Sequence, residues 1–273
     1  MSLITTAAAG LQSQQARMDA LANNIANQNT PGYQSSDVSF ADTLTEFYGQ
    51  SPAVTGLTRQ TPAGFELGTG AYALNPQANF AAGNYTTTTN PLDMAIQGDG
   101  FFTVGLGNNQ TGYTRAGDFV ASVGGQGQTY LTTPDGHAVL GTNGQPINLT
   151  GVNLSTLQVS QDGTLTADGT NGQPINLGKL GLAYVNQPQF ALTPQSGQLY
   201  TLKTGYTAVT NATPGVNSTQ LMGQVQGKML EGSNVDLTQV MSQMVATQND
   251  DNLASKAVNM ANQMMTVANQ IPG

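Results

Sequence analysis

The sequence predicts an α+β protein, with N- and C-terminal helices pairing as a coiled-coil-like core domain, a mainly β central domain, and an extended linker arm between them. Two observations predict this fold. Apolar residues recur every seven positions near both termini, whereas turn dipeptides and short Thr-, Val- and Tyr-rich runs fill the middle of the chain. We therefore expect the N-terminal helix of an inner core domain in residues 1–35, the arm in 36–75, a β-rich outer domain in 76–226, and the C-terminal helix of the core domain in 227–273.

The N-terminal helix carries a heptad pattern and then a strong stop. Pro31 disfavours helical geometry at Thr30, and Gly32 permits a turn, so the helix should end at this point. The residues of this turn motif are Asn29, Thr30, Pro31, Gly32 and Tyr33. The predicted packing residues of the helix are Ile4, Leu11, Met18, Leu21 and Ile25.

The C-terminal helix repeats the heptad pattern from about Asp236 to Ala268. Ser233 or Asn234 is the expected N-cap, because a short polar side chain accepts a hydrogen bond from the first helical turn. The pattern is too weak for either helix to be stable alone, so pairing of the two helices is the simplest arrangement. The predicted packing residues here are Leu237, Val240, Met244, Val258, Ala261 and Met265.

Residues 45–90 combine many Gly, Pro, Thr and Asn residues with aromatic side chains that are costly to leave in water. We therefore expect this segment to become ordered against another surface. Its aromatic residues include Tyr48, Phe65, Tyr72, Phe80 and Tyr85.

The β-rich region contains recurring turn dipeptides and one exact repeat. The octapeptide TNGQPINL occurs at residues 142–149 and again at 170–177. An Asn-Gly pair between short β-prone runs predicts a hairpin turn, so two similar turns are expected. Two copies are too few for a solenoid.

The composition excludes several classes of function. Only 8% of the residues are charged and the net charge is −8 at pH 7, so the clustered Lys and Arg that bind phosphates are missing and no nucleic-acid partner is expected. The chain has no Cys, which excludes disulfides and thiolate metal sites. No apolar run reaches the roughly 20 residues of a membrane span, and the first residues lack the regions of a cleaved secretory signal.

Candidate catalytic residues have simpler explanations. His137 is the only histidine and adjoins the predicted Asp135-Gly136 turn, which favours a surface residue over a metal ligand or general base. Asp99 and Asp162 also precede glycines, where Asp supports turn geometry. A glycan hydrolase would need two carboxylates converging on one cleft. We expect no enzyme, no catalytic residue, no metal and no cofactor.

Four separate motifs resemble those of the bacterial flagellar rod and hook proteins. The N-terminal segment ends in NTPGYQ and is followed by FADTL, the central motifs are NPLDMAIQGDGFFTV and YTRAGDF, and the C-terminal motif is LEGSNVD. Their order along the chain is similar to that in the family. Within the family, the run from TPAGFELGTG to GDGFF and the long arm before it most resemble the distal rod subunit.

The resemblance implies a structural subunit of the distal rod, which polymerises into a rigid tubular driveshaft, transmits torque from motor to hook and leaves a central export channel. The implied partners are further copies of the chain in a helical homopolymer, the proximal rod and hook proteins, the hook-junction neighbours, and the bushing rings where the envelope has them. The implied location is the basal body of the flagellum. The chain would leave through the type III export gate without a cleaved signal peptide.

Two segments receive specific roles from this resemblance and from their chemistry. Phe40 and Leu44 of FADTL match an element recognised at the export gate, and they would share one apolar face if this stretch is helical. The arm is expected to stiffen the polymer by lying between neighbouring subunits. Its apolar anchors are Tyr48, Leu57, Phe65 and Leu67.

Three amides in the N-terminal helix, Asn23, Asn24 and Asn27, occupy positions where Ala or Leu would favour the helix more. They could bond across helices or present a neutral wet surface to the channel, and the alternative is that they are tolerated surface residues. Two other assignments also stay open. One is a proximal rod or hook protein of the same family, and the other is a β-rich extracellular binding protein with helical oligomerisation ends.

Overall fold

The computed structural model describes residues 2–42, 45–48, 65–68, 71–107, 110–211 and 221–270. Helices lie near both termini and mostly strands lie between them, which confirms the mixed fold that the sequence predicts. The chain divides into two compact units, one of residues 1–25, 36–77 and 236–273 and one of residues 26–35 and 78–235. Leu44 and Leu57 lie outside the described residues.

Both long helices belong to the first unit. The N-terminal helix spans Ser2–Ala26, and the C-terminal helix spans Leu237–Gln270, close to its predicted bounds. The predicted N-cap was wrong. Asp236 caps the helix, because its Oδ1 accepts hydrogen bonds from the backbone N–H groups of Thr238 at 2.9 Å and Gln239 at 3.1 Å.

The first unit also contains short strands in the region expected to be the arm. Their bounds are β1 (Ser36–Asp37), β2 (Phe40–Asp42), β3 (Thr45–Tyr48), β4 (Phe65–Gly68) and β5 (Ala71–Ala73), and β6 (Gln77–Ala78) crosses the boundary between the units. Strand β2 pairs antiparallel with β5, Phe40 opposite Ala73, and β3 pairs with β4, Tyr48 opposite Phe65. Both ladders have the same register, so the described part of the arm is a β-hairpin rather than a single extended strand.

The second unit is built from short strands joined by turns. In chain order these are β7 (Tyr85–Thr87), β8 (Met94–Gln97), β9 (Gly100–Gly105), β10 (Thr111–Thr114), β11 (Val120–Val123), β12 (Thr129–Thr132), β13 (Ala138–Val139), β14 (Gln158–Val159), β15 (Thr164–Asp168), β16 (Pro174–Lys179), β17 (Leu182–Val185), β18 (Leu192–Ser196), β19 (Leu199–Leu202), β20 (Ala208–Thr210), β21 (Gln224–Gly227) and β22 (Met229–Glu231). Short helical turns accompany them at Gly125–Gly127, Leu154–Thr156 and Pro188–Ala191.

Nine of these strands form one antiparallel sheet in the order β11-β12-β13-β9-β10-β19-β18, with β17 pairing with both β9 and β20. Strand β9 is central, because it pairs with β10 along one edge and with β13 and β17 along the other. Its side chains are buried on both faces. A three-stranded sheet, β14-β15-β16, and the two-stranded ladders β8–β21 and β7–β22 complete the unit.

Two apolar clusters hold the second unit together. The larger one includes Met94, Ile96, Phe102, Phe119, Leu131, Ile147, Leu165, Leu180 and Met222. The smaller one surrounds Phe101 and Tyr200, and the ring of Phe80 meets them edge-on with centroid distances of 5.5 and 5.1 Å.

The expectation that the aromatic residues of 45–90 become ordered therefore holds for Phe80. It also holds for Tyr85, whose hydroxyl donates to the carbonyl of Ile96 at 2.9 Å. Tyr72 lies in the paired strand β5 with its side chain exposed, so its ordering against another surface stays a prediction.

Candidate functional site

Segments from motifs far apart in the sequence meet in the second unit. We call this site the junction and define it as residues 32–35, 79–84, 115–116 and 231–234. The turn after the N-terminal helix leads into residues 32–35. In this turn Thr30 N–H donates to the Asn27 carbonyl at 3.1 Å, and Tyr33 N–H donates to the Thr30 carbonyl at 3.3 Å.

A buried ion pair lies at the centre of the junction. Arg115 and Glu231 are 2% and 1% exposed, and Arg115 Nη1 lies 3.2 Å from Glu231 Oε2. The guanidinium also lies over the ring of Phe101, 5.2 Å from its centroid. Because a buried charge is tolerated only when it is paired, each of the two side chains requires the other.

Glu231 also holds two backbone segments. Its Oε1 accepts a hydrogen bond from Gly83 N–H at 3.1 Å, and its carbonyl oxygen accepts one from Gly32 N–H at 2.7 Å. The next residue, Gly232, donates to the carbonyl of Asn84 at 2.7 Å. One residue therefore links segments that are about 150 and 200 positions away in the sequence.

Asn234 makes a second set of links. Its Oδ1 accepts from Ser35 N–H at 2.7 Å, and its Nδ2 donates to the carbonyls of Asn79 at 2.7 Å and Ala81 at 2.8 Å. A short amide with both donors and an acceptor can satisfy three backbone groups at once. The residue proposed from sequence as a helix cap thus has a different role.

Close backbone approach explains two glycines of the junction. A Cβ atom on Gly32, whose φ is +68°, would lie 2.4 Å from the nitrogen of Ala116, and one on Gly83 would lie 2.1 Å from the carbonyl oxygen of Gly232. Neither position has room for a side chain. Gly32 in the predicted turn motif is thus needed both for its backbone conformation and for packing.

Tyr33 adds an aromatic side chain to this region. Burial raises the pKa of Tyr200 to about 12, and the nearby Tyr33 adds to this effect. Tyr200 is therefore an un-ionised member of the smaller apolar cluster. The junction as a whole uses its charged and polar groups to hold backbone segments together.

The sequence motifs contain the residues that bond to one another in the junction, but they did not predict which residues pair. Arg115 stands in YTRAGDF, and Glu231 and Asn234 stand in LEGSNVD. In a chain with only 8% charged residues, a lone Arg and a lone Glu inside apolar motifs were the available signal. Their pairing spans 116 positions, which no local pattern reveals.

The predicted helix-packing residues differ in exposure. Leu21 and Val240 are buried, Leu237 is exposed, and the remaining ones whose side chains are described are half-buried. The half-buried set is Leu11, Met18, Ile25, Met244, Val258 and Ala261.

The C-terminal helix also has an exposed apolar face that the heptad pattern did not reveal. Six of its side chains are more than half exposed and fall within an arc of about 140° at 100° per residue. They are Met241, Val245, Leu253, Met260, Met264 and Val267. We call this set the outer apolar face. It lies on roughly the opposite side of the helix from Val240.

The amides of the N-terminal helix are used within the chain. Asn24 is buried, and its Nδ2 and Oδ1 bond to the carbonyl and the N–H of Ser36 at 2.8 and 2.9 Å. Asn27 Oδ1 accepts from the Thr30 hydroxyl at 3.3 Å. For these two residues the amide fixes the chain after the helix, which explains why Ala or Leu would not serve.

Phe40 lies in strand β2, so it does not meet the helical condition attached to the FADTL motif in the folded chain, and its role at the export gate stays a prediction. Its ring is partly exposed, and the guanidinium of Arg17 lies 5.9 Å from the ring centroid. The strand pairs with β5, so residues 40–42 are engaged in a backbone ladder.

His137 and Asp118 are two titratable residues of the second unit that lie outside the junction. His137 flanks a turn, and its backbone N–H donates a hydrogen bond to the hydroxyl oxygen of Thr133 at 3.2 Å. Burial raises the pKa of Asp118, and the neighbouring Asp93 and Asp135 add to this effect. Among the described residues, no group of three or more His, Asp or Glu side chains could hold a metal ion. In the described ranges, no helix is long and apolar enough to cross a membrane.

The second unit thus contains a buried, ion-paired junction, and the C-terminal helix leaves large apolar side chains exposed. Two family models match the chain. Residues 4–34 match the model described as flagella basal body rod protein, and residues 95–167 match the model described as flagellar hook protein FlgE/F/G D1 domain.

Curated relatives match along almost the whole chain. The flagellar basal-body rod protein FlgG of Buchnera aphidicola subsp. Baizongia pistaciae is 32% identical over 94% of both chains, and that of Caulobacter vibrioides is 31% identical over 99% of both. The flagellar hook-basal body complex protein FlhP of Bacillus subtilis is 28% identical over 97% of both. The chain belongs to the flagellar basal-body rod protein family.

Proposed function

We propose that the chain is a structural subunit of the flagellar distal rod. Copies would polymerise into a rigid tube that transmits torque from motor to hook and leaves a central export channel. The match to rod proteins named FlgG over 94% or more of both chains, terminal helices included, carries this proposal. A proximal rod or hook subunit is the alternative, favoured by the match to a model that the hook protein shares.

The terminal helices would form the inner tube of the polymer. We propose that their buried and half-buried seam residues make a coiled-coil-like pair within each subunit, and that the outer apolar face contacts a second copy of the chain. Burying the remaining half of six such side chains would contribute about 1 kcal/mol each, or roughly 6 kcal/mol per subunit. That is enough to favour polymer over monomer once many contacts act together.

Electron microscopy of the purified protein tests this proposal. The wild-type chain should form straight tubes, and Met260→Ser with Met264→Ser should raise the concentration needed for polymerisation. Asn262→Ser is the matched control, since Asn262 is exposed on the same stretch of helix but lies outside the outer apolar face. Equal polymerisation of both variants would contradict a role for this face, and absence of any tube would contradict the rod assignment.

The arm would stiffen the polymer. The register of β3 and β4 places Tyr48 opposite Phe65 in a hairpin. We expect this hairpin to be long enough to reach a neighbouring subunit. We propose that Tyr48, Leu57, Phe65 and Leu67 anchor it between subunits, and Pro52 and Pro62 lower the entropy lost when it is fixed.

Deletion of about residues 48–65 tests the arm. The expected result is normal export with more flexible or hook-like polymers, measured as curvature in electron micrographs. Straight, equally rigid rods from the deleted protein would place the stiffness in the β-rich unit or the inner tube.

Phe40 and Leu44 would be read at the type III export gate before folding, because β2 is paired in the folded chain. Phe40→Ala with Leu44→Ala should accumulate inside cells. Normal export of this variant together with failed assembly would show that both residues only pack in the rod. The further partners that we propose are the proximal rod and hook proteins, the hook-junction neighbours and any bushing rings, all at the basal body.

A further inference from the structure

The junction is completed by residues that come late in the chain. Gly32 N–H bonds to the Glu231 carbonyl, and Gly83 N–H and the Arg115 guanidinium share the Glu231 carboxylate. Ser35 N–H bonds to the side chain of Asn234. The early segments of the junction therefore depend on residues that are synthesised between 116 and 199 positions later.

Without Glu231 the segments that it contacts would lose the bonds that hold them in the junction. Arg115 would be a cation with 2% exposure and no anion, and the N–H groups of Gly32 and Gly83 would lose their acceptors. Unpaired buried charges and unsatisfied buried donors both favour the open, hydrated form of a segment.

The central sheet depends less on late residues, although the Met222 carbonyl accepts a hydrogen bond from Gly100 N–H at the start of β9, and Met222 and Val225 belong to the larger core cluster. Strand β9 pairs with β10 and β13, and β10 pairs with β19, all by residues before position 203. The apolar side chains of β9 include Phe102 and Val104, which belong to the larger core cluster. This part of the second unit can form while the junction is still open.

We infer that Glu231 and Asn234 act as a latch that closes the junction last. In any process that releases the chain N-terminus first, of which synthesis is one, residues 32–35 stay undocked until residues 231–234 are available. The N-terminal helix ends at Ala26, six residues before Gly32, and the bond from Gly32 N–H to the Glu231 carbonyl can form only when the C-terminal segment arrives. This inference concerns the folding order of one chain and does not depend on the rod assignment.

Pulse-labelling hydrogen exchange during refolding of the full chain tests the order. The amides of Gly32, Ser35 and Gly83 should gain protection with the same rate constant as Gly232, which bonds to Asn84 within the junction. The amides of β9 and β10 should gain protection earlier. Protection of Gly32 or Gly83 before Gly232 would overturn the latch.

Two asparagine variants of the full chain test the same idea at equilibrium. Asn234→Ala should speed exchange at Ser35, Gly32 and Gly83 by about tenfold or more, with exchange in β9 and β10 unchanged. Asn211→Ala is the matched control, because its side chain also bonds to two backbone groups of the second unit, Leu182 N–H at 3.0 Å and the Leu180 carbonyl at 2.7 Å. It should speed exchange at Leu182 and leave the junction protected. Unchanged exchange at Gly32 in Asn234→Ala, or equal loss of protection throughout the second unit in both variants, would overturn the proposal.

Discussion

Two copies of one peptide have different environments in this molecule. The repeat extends to nine residues, GTNGQPINL, at 141–149 and 169–177. Both copies make the same turn, since Gly141 N–H bonds to the Gln145 carbonyl and Gly169 N–H bonds to the Gln173 carbonyl, each at 2.8 Å. Beyond the turn they diverge: Ile147 is 3% exposed, whereas Ile175 is 43% exposed.

The neighbouring strands account for the divergence. The first copy lies between two partners, with Ile147 N–H bonded to the Val139 carbonyl at 3.1 Å and the Ile147 carbonyl accepting from Leu131 N–H at 3.0 Å. The second copy contains most of β16, which among the described strands pairs only with β15. Local sequence thus determines the turn, and tertiary context determines which copy enters the core.

The largest expected effect separates the two copies by burial. Ile147→Ala should lower the free energy of unfolding by about 2–5 kcal/mol, because it leaves a cavity in the larger core cluster. Ile175→Ala should cost less than about 1 kcal/mol, because its side chain already contacts water. Urea unfolding of the monomer measures both.

These two variants are matched controls for each other, since the changed residue and its local sequence are identical. Equal losses of stability would show that Ile175 is packed in solution and that the contrast between the copies is not real.

A smaller effect should be the same in both copies. Gly144 and Gly172 have φ values of +71° and +69°, and a Cβ on either would meet no atom within 4 Å. Changing either to Ala should therefore cost about 1 kcal/mol, arising from backbone conformation alone. Thermal unfolding compares the two variants, and a difference larger than about 1 kcal/mol would mean that the turns are not equivalent.

The same division between local and long-range causes decides what the sequence could predict. The end of the N-terminal helix before Pro31 and the two Asn-Gly turns follow from signals a few residues long. The exposure of Ile175 does not follow from such signals, because the local sequence around Ile175 is identical to that around Ile147. The hairpin in the arm was missed because its two strands are joined by a long Gly- and Pro-rich segment that obscures the pairing.

The candidate site shows the same limit. The turn motif at Gly32 was found from sequence, but its contacts with Ala116 and Glu231 depend on chain segments far away. Asn234 was wrongly predicted to be the N-cap, because N-cap preference is a local rule that several nearby residues satisfy. Asp236 lies closer to the helix and is the residue that caps it. The outer apolar face does not follow from the seven-residue pattern, because that pattern assigns one seam to the helix, whereas the apolar residues of the helix form two faces.

The smallest expected effect concerns an ion pair found only beside the second copy. Lys179, the last residue of β16, lies 3.7 Å from Asp162, whereas the corresponding position after the first copy is Gly151. Partial burial acts to raise the pKa of Asp162, but hydrogen bonds from Thr164 and the charge of Lys179 together lower it. A carboxylate with a lowered pKa stabilises the fold above its unfolded pKa, and this contribution is lost as the pH falls through the folded value.

Asp162→Asn should therefore lower stability at pH 7, and the effect should vanish at an acidic pH well below the lowered pKa of Asp162, where its carboxyl is uncharged in both the folded and the unfolded chain. Because the two side chains are 50% and 30% exposed, the loss at pH 7 should stay below about 1 kcal/mol and shrink in high salt. Urea midpoints at the two pH values measure it, with Lys179→Gln as the variant that removes the other charge. A loss that persists at low pH would show that Asp162 acts through its hydrogen bonds with Thr164 at 2.9 and 3.2 Å, so that the turn and not the ion pair holds the exposed copy.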